Sequence, residues 1–98
     1  MSPSVVFRPQ AEAELLEAGR WYDERRPGLG ASFLTAIDDV IERVGREPLL
    51  FPRVQGEMRR ALVHRFPYGL YFEIIEEQVV VIGVVHGHRD PTVWRSRR

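Results

Sequence analysis

The densest group of side chains able to do chemistry is His86-Gly87-His88-Arg89-Asp90-Pro91. Residues two apart point the same way along an extended chain, so His86 and His88 share a side, and Gly87 lets another group approach the backbone. Three readings compete. A metal site would need a third ligand such as Asp90 or His64. A proton-transfer site is chemically open to histidine, which titrates near neutrality. In the third, Arg89 and Asp90 pair to end a strand while the histidines cap carbonyls, and composition alone favours this one. No metal and no cofactor is indicated.

A second set of candidates is cationic. Arg59, Arg60, Arg65 and Arg89 fall on strands or strand ends, and Arg95, Arg97 and Arg98 follow in a basic tail. All 14 basic residues are arginine, so every cation is a planar fork suited to phosphate or carboxylate. Gathered by a sheet, the set would hold RNA, DNA or an acidic peptide, whereas each alone reads as a solvated strand face. Residues 1–50 carry six arginines and nine acids, and residues 51–98 carry eight and five, which places the anion-seeking surface in the second half. The total is nonetheless zero, against a general nucleic-acid coat or an anionic-membrane binder. With no cysteine, disulfides, thiolate metal sites and a cysteine nucleophile are excluded. Neither a phosphate-cradling glycine loop nor an activated serine arrangement is present, and the carboxylates fall mostly on helix surfaces.

The elements that must position these groups follow from periodicity. At 98 residues the chain is expected to be one domain, 1–98. Val5-Val6-Phe7 is a short strand ending before Pro9, which suits a first helical position, with Glu12 and Glu14 near the positive end of the helix dipole. Ala11, Leu15, Ala18 and Tyr22 recur at helical spacing, and Pro27-Gly28 stops a helix of roughly 9–25. From Gly30, the stripe Phe33, Ile37, Val40, Ile41 and Val44 marks a second helix ending near Pro48, antiparallel to the first. Strands are expected at Met58–Phe66, Tyr68–Ile75 and Val79–His86, with Glu76-Glu77-Gln78 as a turn. The order β-α-α-β-β-β gives an α+β fold, a helical hairpin on one face of a mostly antiparallel four-stranded sheet. Trp21-Tyr22 and Phe66-Pro67-Tyr68 read as packing anchors.

The last strand is apolar on both sides, Val79, Val81 and Val85 on one and Val80, Ile82 and Val84 on the other. Strands of that kind are usually covered twice. Two helices cover one face, so Val80, Ile82 and Val84 are expected either to await a partner or to lie under long side chains and the tail. The longest apolar stretch, Val79 to Val85, is far short of the ~20 residues of a membrane helix. No signal peptide is visible at Met1-Ser2-Pro3-Ser4, and the chain reads as cytoplasmic.

Taken in order, the motifs resemble the RelE/ParE superfamily of toxins from type II toxin–antitoxin (plasmid stabilisation) modules over about residues 5–95. The resemblance rests on Ala11-Glu12-Ala13-Glu14-Leu15-Leu16, Trp21-Tyr22, Pro27-Gly28-Leu29-Gly30 and Pro48 through Pro52. It continues through Arg60-Ala61-Leu62-Val63, Phe66-Pro67-Tyr68, and His86 to Pro91 with Trp94. It implies a growth-inhibiting toxin neutralised by a cognate antitoxin whose flexible segment wraps the toxin surface. RelE-like members cleave mRNA on the ribosome with arginines, lysines and a C-terminal tyrosine; ParE-like members poison DNA gyrase and have no established hydrolytic centre. Here Gly69 stands where the ribonucleases would have an arginine, Trp94 stands near the tyrosine position, and lysines are absent, leaving Arg89 as the one good match. The tryptophan ring nitrogen exchanges no proton near neutrality, so His86 or His88 would have to serve. The pattern lies closer to ParE. That side implies gyrase as target, with Arg59, Arg60, Arg65, Arg89, Trp94 and Arg95 as contacts to target or antitoxin, joined by Val80, Ile82 and Val84. The alternatives are a ribosome-dependent mRNA endoribonuclease using Arg89 with His86 or His88, and a degenerate, non-toxic antitoxin binder.

Overall fold

A computed structural model describes residues 4–87. In chain order it contains β1 (Val5–Phe7), α1 (Pro9–Arg25), α2 (Leu29–Arg46), a 3-10 turn (Pro48–Leu50), β2 (Arg53–Gln55), β3 (Met58–Leu62), β4 (Tyr68–Ile75) and β5 (Gln78–His86). The architecture is α+β, as expected, with the sheet ordered β1-β5-β4-β3-β2. Its β1–β5 pair is parallel and its other pairs antiparallel. Five strands replace the expected four, because Arg53–Gln55 adds an edge strand to β3. The strand expected over Met58–Phe66 stops at Leu62. Past that point the Val63 N–H donates to the Tyr68 carbonyl at 2.9 Å and Arg65 takes a left-handed φ of 74°, which turns the chain.

Helix α1 starts at the proline, whose missing N–H costs nothing at a helix N-terminus. The two helices touch through glycine: a Cβ on Gly30 would lie 2.6 Å from the Gly19 carbonyl oxygen, so no larger residue fits there. Asp23 fixes the turn between them, its Oδ1 accepting from the Gly28 N–H at 3.0 Å and the Gly30 N–H at 3.3 Å. Those are donors a helix start would otherwise leave unpaired. The α2 stripe Phe33, Ile37, Val40 and Val44 is buried against Ala61, Leu70, Phe72, Val79 and Val81. Each such side chain contributes roughly 1.5–3 kcal/mol by leaving water.

The opposite face of the sheet carries a second, smaller cluster of Met58, Tyr71, Ile82 and Val85, with Val54 packed against it. This face is not open: Val80 and Ile82 are 6% and 3% exposed, which decides against a bare apolar surface. Strict alternation also misplaces the end of the last strand. Phe72 pairs with Val81 and Tyr71 with Gly83, so Ile82 is an extra residue, a bulge in β5. Beyond it the sides exchange. Val84 joins the helix-covered core with Val79 and Val81, and Val85 joins Ile82 on the other side.

Candidate functional site

Strand β1 covers β5 only as far as Val81, where the Arg8 N–H donates to the Val81 carbonyl at 2.9 Å. Beyond the bulge, the Val84 N–H needs another partner, since a buried backbone donor left unpaired is costly. Glu14 supplies it: Oε1 reaches across from α1 and accepts from Val84 N–H at 3.0 Å. Between α1 and this end of β5 and β4 lies a groove of about 480 Å³, whose polar and aromatic walls are Glu14, Glu17, Trp21, Tyr22, Tyr68 and His86. Helical spacing puts Glu14, Glu17 and Trp21 on one side of α1, each one turn from the next.

Aromatic rings support the groove from below. Tyr22 packs against Phe33 at 5.2 Å between centroids and edge-on to Phe66 at 4.9 Å. Tyr68 stands edge-on to His86 at 5.3 Å. Burial raises the Tyr22 phenol pKa above its usual value. The Tyr68 phenol is raised too, first by burial, then by Tyr22 and by the negative charge of Glu17. Both phenols therefore stay protonated at neutral pH and act as hydrogen-bonding rims rather than as acids or bases. Trp21 differs from its neighbours: 47% of its surface stays exposed, and the Arg25 guanidinium lies 4.1 Å from its ring centroid.

The sequence candidates do not assemble into one centre. Arg59 turns inward, donating to the Phe51 carbonyl at 2.6 Å and the Leu49 carbonyl at 3.5 Å, so it clamps the 3-10 turn. Arg60 lies on the opposite face. A Cβ on Gly69 would meet Tyr71 Cε1 at 3.0 Å and Arg60 Cγ and Cδ at 3.4 Å, so these two side chains occupy the space above the glycine. Arg65 is exposed in the β3–β4 turn. His64 is exposed and lines a shallow groove together with Asp39 and Arg43 of α2. His86 is exposed at the end of β5, at the groove wall. Val80 and Ile82 sit on the second face, while Val84 is in the helix-covered core. His88, Arg89, Trp94 and Arg95 lie outside the described residues. Among the described residues, no three His, Asp or Glu side chains converge to hold a metal ion.

The groove was the missed feature. Its aromatic parts, Trp21-Tyr22 and Pro67-Tyr68, stand out in sequence as packing anchors, and for Tyr22 and Tyr68 the anchor role holds. The available signal was the one-turn spacing of Glu14, Glu17 and Trp21, two acids in line with an aromatic.

A helical hairpin clasped to a mixed sheet whose first strand runs parallel to its last defines the class of fold. The sequence matches the family of the ParE toxin of type II toxin–antitoxin system, parDE, over residues 5–91. The chain belongs to that family. Among solved structures, a chain of the "Chromosomal ParDE TA system from P. aeruginosa" is similar in fold, with a TM-score of 0.78 and 13% sequence identity. The match covers 89% of this chain and 98% of that one. Comparison with curated protein sequences gave no match. Among the described residues, no helix is long and apolar enough to cross a membrane.

Proposed function

We propose that this member of the ParE toxin family acts in the cytoplasm, inhibits growth by engaging DNA gyrase, and is held inactive by a cognate antitoxin. The observation that favours gyrase over message is the residue at position 69: the ribonuclease pattern asks for an arginine, the chain has glycine, and the space beside it is shared by the Tyr71 ring edge and the Arg60 stem, 3.0 Å and 3.4 Å from where a Cβ would lie. In addition, Arg59 is committed to backbone carbonyls, which removes one cation from any phosphate-binding set. The candidates for target contact are Arg60, Arg65 and the segment bearing Arg89, Trp94 and Arg95. A ribosome-dependent ribonuclease built on Arg89 with His86 or His88 is the second reading, favoured by the exposure of His86 beside Tyr68.

Induced expression in bacteria separates these. Growth should stop when the chain is made alone and recover when a small antitoxin frame next to its gene is expressed with it. Primer extension on message from the arrested cells should show no new 5′ ends. New ends that vanish in Arg89→Ala would make the protein a ribonuclease, and uninterrupted growth would make it a non-toxic binder.

A further inference from the structure

We propose that the 3-10 turn and the end of α2 form a self-complementary surface through which two copies of this chain pair about a two-fold axis. Such pairing does not depend on which target the toxin engages. Three observations support it.

The first is a rigid apolar knob. Leu49 and Leu50 are 71% and 73% exposed, the most of any large apolar side chain among the described residues. Single exposed leucines are ordinary, whereas two in succession on a pinned turn make a patch. Pro48 and Pro52 restrict the backbone on either side of them. Phe51 ties the turn to the core, edge-on to Phe72 at 6.0 Å, and the Arg59 guanidinium holds the Leu49 and Phe51 carbonyls. A knob held in this way gives up little freedom when it docks.

The second is a groove of about 490 Å³ beside the knob, with walls of Arg43, Arg46, Glu47, Leu50 and Phe51. It has room for a side chain of the kind that stands next to it. Leu49 of one copy seats in the groove of the other, and a two-fold axis makes the exchange mutual.

The third is charge. The groove wall carries both signs, and Arg43 and Glu47 are both exposed. The ion pair of the last helical turn joins Arg46 to Glu42 at 3.1 Å and uses neither of them. Arg43 leans over the Phe51 ring, 5.8 Å from its centroid, and Glu47 has left the helix, with φ −142° and ψ 67°. A second copy brings the same two groups in reversed order, so Arg43 of each meets Glu47 of the other. A strongly acidic or strongly basic partner would meet a like charge here. The formal net charge of zero adds no overall repulsion between copies.

The test is sedimentation velocity on the whole chain, made by cell-free synthesis, from about 5 to about 500 µM. The sedimentation coefficient should rise with concentration from that of one chain to that of two, and no further. Leu49→Asp should remain a single chain throughout, with circular dichroism showing that this exposed position leaves the fold intact. Leu62→Asp, 61% exposed but on β3, should pair as the wild type does. Arg43→Glu alone, or Glu47→Arg alone, sets like charges together twice across the axis and should weaken pairing at least about tenfold. The two exchanges combined restore opposite charges and should bring the dissociation constant back to within about threefold of the wild type. A single chain at every concentration, species larger than two chains, equal loss from Leu49→Asp and Leu62→Asp, or no recovery in the double exchange would overturn the proposal.

Discussion

The two faces of the sheet are built on different terms. The helix-covered face is filled by aliphatic and aromatic side chains, with Phe33, Ile37, Val40 and Val44 of α2 set into Leu70, Phe72, Val79 and Val81. The second face has a small apolar centre of Met58, Tyr71, Ile82 and Val85, and around it stand Arg60, Gly69 and the buried carboxylate-bearing Glu73. A face held by volume alone responds to mutation through lost packing. A face that buries charge beside apolar groups responds to shape and to charge together, since a buried charge must be paired or hydrogen-bonded. The first face holds most of the core, while the second is a smaller cluster with polar side chains around it.

The largest effect is expected on the first face. Phe33→Ala removes a fully buried ring that also stacks with Tyr22, Phe66 and Tyr68, and should cost about 3–5 kcal/mol in denaturant unfolding. Ile82→Ala on the second face should cost about 2 kcal/mol, at the low end for an isoleucine, because its cluster is small enough to collapse around the gap. Similar losses for the two would erase the distinction between the faces. Gly69→Ala probes shape instead of volume: the added methyl would lie 3.0 Å from Tyr71 Cε1, so the ring must shift by a few tenths of an ångström, and stability should change by no more than about 1 kcal/mol. A larger loss would mean that the Tyr71 ring cannot give way.

A smaller, stabilising change lies at the β4–β5 turn, away from both faces. Glu76 and Glu77 both have positive φ, 50° and 68°, in a two-residue hairpin that favours asparagine and glycine. Replacing them by Asn-Gly should raise stability by about 0.5–1 kcal/mol in thermal unfolding, since the strain falls on residues ill suited to it. The smallest effect is at alkaline pH. The phenols of Tyr22 and Tyr68 have folded pKa values raised above 10.0. Their contribution is therefore whole below pH 10 and is lost as pH rises through the folded values. Phenolate absorbance should rise late in the wild type relative to Tyr68→Phe.

Much of this was legible in the chain itself. The proline before α1, the apolar stripe of α2 and the Pro27-Gly28 stop act over one or two turns of helix, and such local rules survive folding intact. The second edge strand was hidden because three residues, Arg53 to Gln55, carry no alternation to read. The faces of β5 were misread past Val81 because a bulge inserts one residue and reverses every side chain after it. Nothing in a run of valines marks where that happens; only pairing with Tyr71 and Phe72 does. The candidate site was half visible. In sequence, Trp21 and Tyr68 read as packing anchors and His86 as part of a polar cluster, and nothing joins them, because their meeting depends on α1 crossing β5, a contact between residues some 70 positions apart in sequence. The arginines were counted as a set, yet the fold spends Arg59 on a turn and sends Arg60 to the far side of the sheet.

The proposal to be tested is that this ParE-family chain, with glycine and not arginine at position 69, engages gyrase and leaves message whole. Supercoiling of relaxed plasmid by purified gyrase, titrated with the purified chain, tests it most directly. Supercoiling should fall as the chain is added and recover when its antitoxin is supplied, while ribosome-bound message incubated with the same preparation stays whole. Unimpaired supercoiling together with cut message would contradict it.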